Sequence, residues 1–206
     1  MLDKFCPQDK AFLQDLKARG VKITAYDSIT FVDPYYDGTK WTTQSTPGGG
    51  ERNGNSVIIV KTGDPGMDAS TIYHEGVHTG QPSSWDWATC EYDAYTREDQ
   101  WRARQTPPIP PSDPSWRRPD GTTDTNAIKA SLSTDPTYPG MAVATTPGGP
   151  TKEIVGRDAR GWTLESVNGG PPKARKPKKG DAYQGTVTLK DPPGGTVVDM
   201  DQLQCP

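Results

Sequence analysis

The sequence predicts an α+β fold, a small sheet with helices packed against it, and three observations predict it. Apolar residues recur with helical spacing over 9–19, and cap and stop residues bracket two further helices in the stretch 68–104. Period-two or continuous apolar runs at 21–26, 29–32 and 56–60 are too short for helices and read as strands. Beyond about Ala142, strand-like runs are separated by Gly-Gly, Pro-Pro and Gly-Gly-Pro punctuation, which reads as β-hairpins. The chain has 206 residues, enough for one domain with appendages. Hydrophobic residues make up only 31%, and 22 glycines with 21 prolines add long loops to a small core.

The elements follow in order. Ala11, Phe12, Leu13 and Leu16 form one face of a helix over 9–19, which Gly20 stops. Val21 to Tyr26 alternates and predicts a strand; Ile29 to Val32 predicts its hairpin partner across Asp27 and Ser28. The glycine-rich segment 48–54 is expected to be a loop. Ser56 to Val60 is the most apolar strand, ended by Gly63-Asp64-Pro65-Gly66. A helix capped by Asp68 or Ser70 runs to about Thr79, and a second runs from about Ser84 to Arg104, stopped by the proline tract 107–111. Residues 106–124 are expected to be irregular, and 126–132 a short helix. Strand-like runs at 152–155, 162–167, 185–190 and 196–199 complete the chain. The domain organisation expected is a core over 1–140 and a β-rich extension over 141–206 packed on it.

Composition excludes some functions. A formal charge of −3 and a pI near 5.4 argue against a nucleic-acid partner. No apolar run approaches the length of a membrane span, and the start, Met1 to Phe5, lacks the apolar stretch of a secretory signal. Cys6, Cys90 and Cys205 form no CxxC pair, so a zinc ribbon is excluded. A bridge between Cys6 and Cys205 and three free thiols both remain open. The basic run Pro172 to Gly180 reads either as a solvated loop or as a phosphate-binding or targeting patch.

The chemistry concentrates in His74-Glu75-Gly76-Val77-His78, which matches H-E-x-x-H and contains both histidines of the chain. On a helix, residues four apart lie one turn apart on one face, so both imidazoles can reach one Zn²⁺ at about 2.0–2.1 Å. Glu75 then sits beside the metal as a general base rather than a ligand. A catalytic zinc needs a third protein ligand. With no third histidine, the candidates are Glu91, Glu98, Asp93 and Cys90. Glu91 is favoured because a turn and two helical turns bring it back beside the first helix. Glu98 would need a different helix offset, Asp93 points away from Glu91, and a Cys90 thiolate would quench Lewis acidity.

With Glu91-Tyr92-Asp93-Ala94 following, the sequence resembles the gluzincin branch of the zincin metallopeptidases. The string 74–81 with 91–95 is similar to the compact metallopeptidase domains of bacterial polymorphic toxins and secretion-system effectors. The resemblance implies a zincin-like core holding one zinc per chain and hydrolysing peptide bonds of a protein or peptide substrate. It also implies delivery by a specialised secretion system, with an immunity protein or a carrier as further partner. It places Val57, Ile58, Ile59 and Val60 at the sheet edge that binds substrate and Thr62 to Met67 at its rim. Tyr95 is the candidate oxyanion donor, one turn beyond Glu91. Two other functions compete: a non-catalytic zinc-containing binding module, and a zinc hydrolase of a non-peptide amide.

Overall fold

The computed structural model describes residues 9–82, 85, 87–134, 152–167, 170–183, 185–190 and 195–200. Cys6, Cys205 and residues 141–151 lie outside them; Cys90 is not in a disulfide. The fold is α+β.

Helix α1, Lys10–Ala18, buries Leu13 and Leu16 and stops where Gly20 adopts φ 71. Strand β1, Lys22–Tyr26, follows. It does not form a hairpin with the next strand, β2, Ser28–Tyr36. Instead β1 pairs in parallel along its whole length with β5, Ser56–Val60, and β2 begins a different sheet. The physical reason is the link between them. A two-residue hairpin needs positive φ at its centre, normally from Gly or Asn, and Asp27-Ser28 supplies neither.

The segments between β2 and β5 hold two strands. β3, Trp41–Gly48, returns antiparallel to β2 around a turn in which the Asp37 carboxylate accepts from the Thr39 and Lys40 amides. β4, Gly50–Asn53, lies where a loop was expected and forms a hairpin with β5 across Gly54 at φ 59. The first sheet therefore has the order β10-β1-β5-β4, where β10 is Thr196–Val197. This corrects the placement of Val57–Val60: they form an interior strand, and the edge is β4. One face of the sheet, Ile23, Ala25, Val57 and Ile59, packs on Leu13 and Leu16 of α1 and on the helices that follow.

Helix α2, Pro65–His78, begins earlier than the sequence suggested. Its cap is Asp64, whose carboxylate accepts from the Gly66 and Met67 amides, with Pro65 at the first helical position. It contributes Ala69 and Ile72 to the core; helix α3, Trp87–Arg104, contributes Trp101. A 3₁₀ turn at Pro114–Trp116 and helix α4, Thr125–Thr134, form a second small core of Trp116, Ile128 and Leu132. Tyr92 and Tyr95 of α3 pack on it.

Strands β6 (Lys152–Arg157), β7 (Thr163–Val167) and β8 (Lys173–Arg175) make an antiparallel meander. β8 lies inside the basic run. Its Arg175 is tied to Asp181 and Glu165, while Lys173, Lys176, Lys178 and Lys179 are exposed. The two remaining strands do not form the hairpins expected of them. β9, Thr186–Lys190, completes the second sheet in the order β3-β2-β9, and β10 pairs with β1.

Candidate metal centre

Ser70, His74 and His78 recur every fourth residue of α2 and so share one face. Gly76 lies on the opposite side. A Cβ there would sit 2.7 Å from Phe12 Cζ and 3.1 Å from Leu16 Cδ1, so glycine lets α1 close on the back of the helix. The histidine face is turned to α3, which presents Glu91, Tyr95 and Glu98 along one row of its own.

Three donor groups converge between the helices. His74 Nε2 and His78 Nε2 lie 3.1 Å apart. His74 Nε2 is 3.5 Å from Glu91 Oε2, and His78 Nε2 is 3.4 Å from Glu91 Oε1. All three residues are buried. Tetrahedral coordination with bonds of about 2.0–2.1 Å requires donor–donor edges of about 3.3–3.4 Å. The spacing thus fits a zinc ion with a fourth position left open.

The proton positions follow from the outer partners of each ring. His74 Nδ1 lies 3.0 Å from Glu98 Oε2. That carboxylate also accepts from the Ser70 hydroxyl at 2.5 Å and from Arg102 at 2.7 and 3.0 Å, so it is ionised and the histidine donates. His78 Nδ1 lies 2.8 Å from Gln81 Oε1. The Gln81 amide nitrogen donates to the Cys90 carbonyl and to Asp93, two groups that only accept, which turns the amide oxygen to His78. Both imidazoles therefore carry their proton on Nδ1. Both Nε2 atoms, and the Glu91 carboxylate, then face one point, which a metal cation, or in its place a proton on His74, satisfies.

Without a cation, the charges around that point shift the titration of its groups. For His74, burial disfavours the charged form, but Glu91 and Glu98 outweigh it and hold the pKa well above its ordinary value. Burial lowers that of His78; Glu91 opposes this, and the charges of His74 and Arg52 add to it. For Glu98, burial is overcome by His74, Arg102 and Ser70, so its carboxyl lies below the usual range. Glu75 behaves oppositely. Burial pushes its carboxyl up to about 8 against the His74 charge, with Glu91, Glu98 and Glu51 adding to the rise. Among the described residues it has no hydrogen-bonding or ion-pair partner, and it abuts β4: a Cβ on Gly50 would lie 2.8 Å from Glu75 Oε1.

The structure brings His74, His78 and Glu91 together, and Glu75 is buried next to His74 on α2. Tyr95 packs its ring edge-on to His74, centroids 4.4 Å apart, and to Trp116 at 5.2 Å. Val57–Val60 lie one strand away from the edge next to Glu75. Cys90 and Asp93 stand outside the donor group; Asp93 binds Arg97 and Gln81 instead. Glu98 is no rival ligand, because it grips the other nitrogen of His74. Its role, with those of Ser70, Arg102 and Gln81, escaped the sequence reading. The available signal was spacing: Ser70 is four residues before His74, and Arg102 four after Glu98.

No protein-family model, curated protein or solved structure matches the chain.

Proposed function

We propose that the chain is a zinc-dependent peptidase. The observation that carries this reading is the convergence of His74 Nε2, His78 Nε2 and the Glu91 carboxylate on one point, beside a buried Glu75 that has no hydrogen-bonding partner among the described residues. When bound, zinc supplies Lewis acidity to a carbonyl and lowers the pKa of water toward ~7. His74 and His78 hold it through nitrogens whose direction Glu98 and Gln81 fix. Glu75 is the base: its carboxyl is buried beside the donors, and burial raises its proton affinity. It removes a proton from the attacking water as the new C–O bond forms at the carbonyl carbon. It then passes that proton to the amide nitrogen as the C–N bond breaks, leaving a carboxylic acid and an amine, which ionise to carboxylate and ammonium. β4 ends its sheet, so its outer backbone groups can pair with an extended peptide, and Gly50 allows close approach to Glu75. Tyr95 is the donor assigned to the developing oxyanion; Tyr95→Phe, with unchanged zinc content, should then lower kcat more than it raises KM.

The test is metal content with hydrolysis of an unstructured protein such as casein. One zinc per chain and turnover are expected. Glu75→Gln should keep the zinc and lose activity about 10²–10⁴-fold. Zinc bound with no turnover would favour the binding module; hydrolysis unaffected by Glu75→Gln would remove Glu75 from the reaction.

A further inference from the structure

The edge strand carries a charged side chain that is neither one of the metal donors nor part of the core. In the β4–β5 hairpin, Gly50 pairs with Ile59 and Arg52 with Val57. Directly paired residues project to the same face of a sheet. Ile59 and Val57 are fully buried in the core formed with Ala69 and Ile72 of α2, so Arg52 leaves β4 on the α2 face. Arg52 is exposed. Other arginines, Arg19, Arg97, Arg102, Arg117 and Arg175 among them, have a carboxylate partner. Among the described residues no carboxylate partners Arg52.

Its height along the helix follows from the chain path. The short connection 61–64 turns α2 back against β5, and β4 is antiparallel to β5, so α2 and β4 run the same way. Gly50 is level with Thr71 and Glu75. Two strand residues advance about 6.6–6.8 Å, and a helix covers that distance in four to five residues. Arg52 therefore stands level with the turn that carries His78, on the open edge.

We infer that Arg52 is a specificity-determining residue that receives a carboxylate of the peptide lying along β4, close to the bond cut. This inference rests on the peptidase reading and names its substrate class: peptides with an acidic group beside the scissile bond. The carboxylate has two possible sources, an Asp or Glu side chain or the free C-terminus of the peptide. A guanidinium is suited to either, because its planar fork matches a carboxylate with two parallel hydrogen bonds.

The experiment begins with zinc-loaded protein and a degenerate peptide library, cleavage sites being read by mass spectrometry. A cleaved peptide is then compared as Glu and Gln versions at each position around the cut, and as free acid and C-terminal amide. The acidic version should be preferred about 3–10-fold in kcat/KM in one of the two comparisons, the scale of a partly exposed charged contact. That comparison identifies the source. Arg52→Gln should bring the ratio to near one and Arg52→Glu should invert it. Lys22→Gln, an equal charge change on the opposite face of the sheet, should leave the ratio unaltered. Cleavage with no acidic preference, or a preference that survives Arg52→Gln, overturns the inference and leaves the peptidase reading standing. Failure to cleave any library member overturns both.

Discussion

Glu98 shows how much of the proposed metal centre rests on residues outside its donor group. It holds the Nδ1 proton of His74 and is itself held by Ser70 and Arg102, and Arg102 also donates to the Pro110 carbonyl. Glu98→Gln keeps the shape but removes the charge that fixes the tautomer. It should weaken zinc binding about 10–100-fold in a chelator competition, with the circular dichroism spectrum unchanged. Glu98→Ala would strand the Arg102 guanidinium in the interior and is expected to cost folding as well. An unaltered zinc affinity in Glu98→Gln would show that the carboxylate merely neutralises Arg102. At this scale the sequence was legible where a motif states its own chemistry: His74, Glu75 and His78 follow from spacing alone, and Glu91 from the length of the turn. Glu98 and Gln81 were not, because a carboxylate and an amide carry no sign of which atom they face.

The helices are built to meet on both sides of α2, and this makes Gly76 a structural requirement of the motif. Gly76→Ala brings a Cβ into the Phe12 ring and Leu16. Overpacking costs about 1–3 kcal/mol, of which the better helix propensity of alanine returns up to about 1. The net effect should be a lower Tm in thermal unfolding; an equal or higher Tm would mean that α1 shifts freely. The helices were readable because periodicity, caps and stops are local signals. Strands β3 and β4 were hidden. Trp41 to Gly48 is mostly threonine, glutamine and serine, and Gly50 to Asn53 has no apolar residue, so neither shows the alternation of a half-buried strand. They are strands because neighbours pair with them, and pairing between distant segments leaves little trace in one sequence.

For the molecule as a whole, the buried acid at the centre is a burden when the site holds no metal. In metal-stripped protein, Glu75 titrates at about 8 when folded and near an ordinary carboxyl value when unfolded. The folded state then binds the extra proton between those values. Its contribution to stability is present in full below about 4.5 and is lost as pH rises through about 8. The Tm of EDTA-treated protein should fall across that window, and Glu75→Gln should flatten the fall. A profile that is flat for the wild type would show that the carboxyl is solvated in the metal-free state.

The pairing of Thr24 with Val197 sets the order in which the chain can fold. Helices α2 and α3 are near neighbours in sequence, with His74 meeting Glu98 across one turn, and can dock soon after both emerge from a ribosome. β1 must wait for β5 on one side and, on the other, for β10, whose Val197 lies far along the chain from Thr24. Contacts that close such long loops form late and slowly. During synthesis the open edge of β1 stays exposed to other chains after the helices have met, and a pulse of hydrogen exchange during refolding should find the amides of β1 protected after those of α2 and α3.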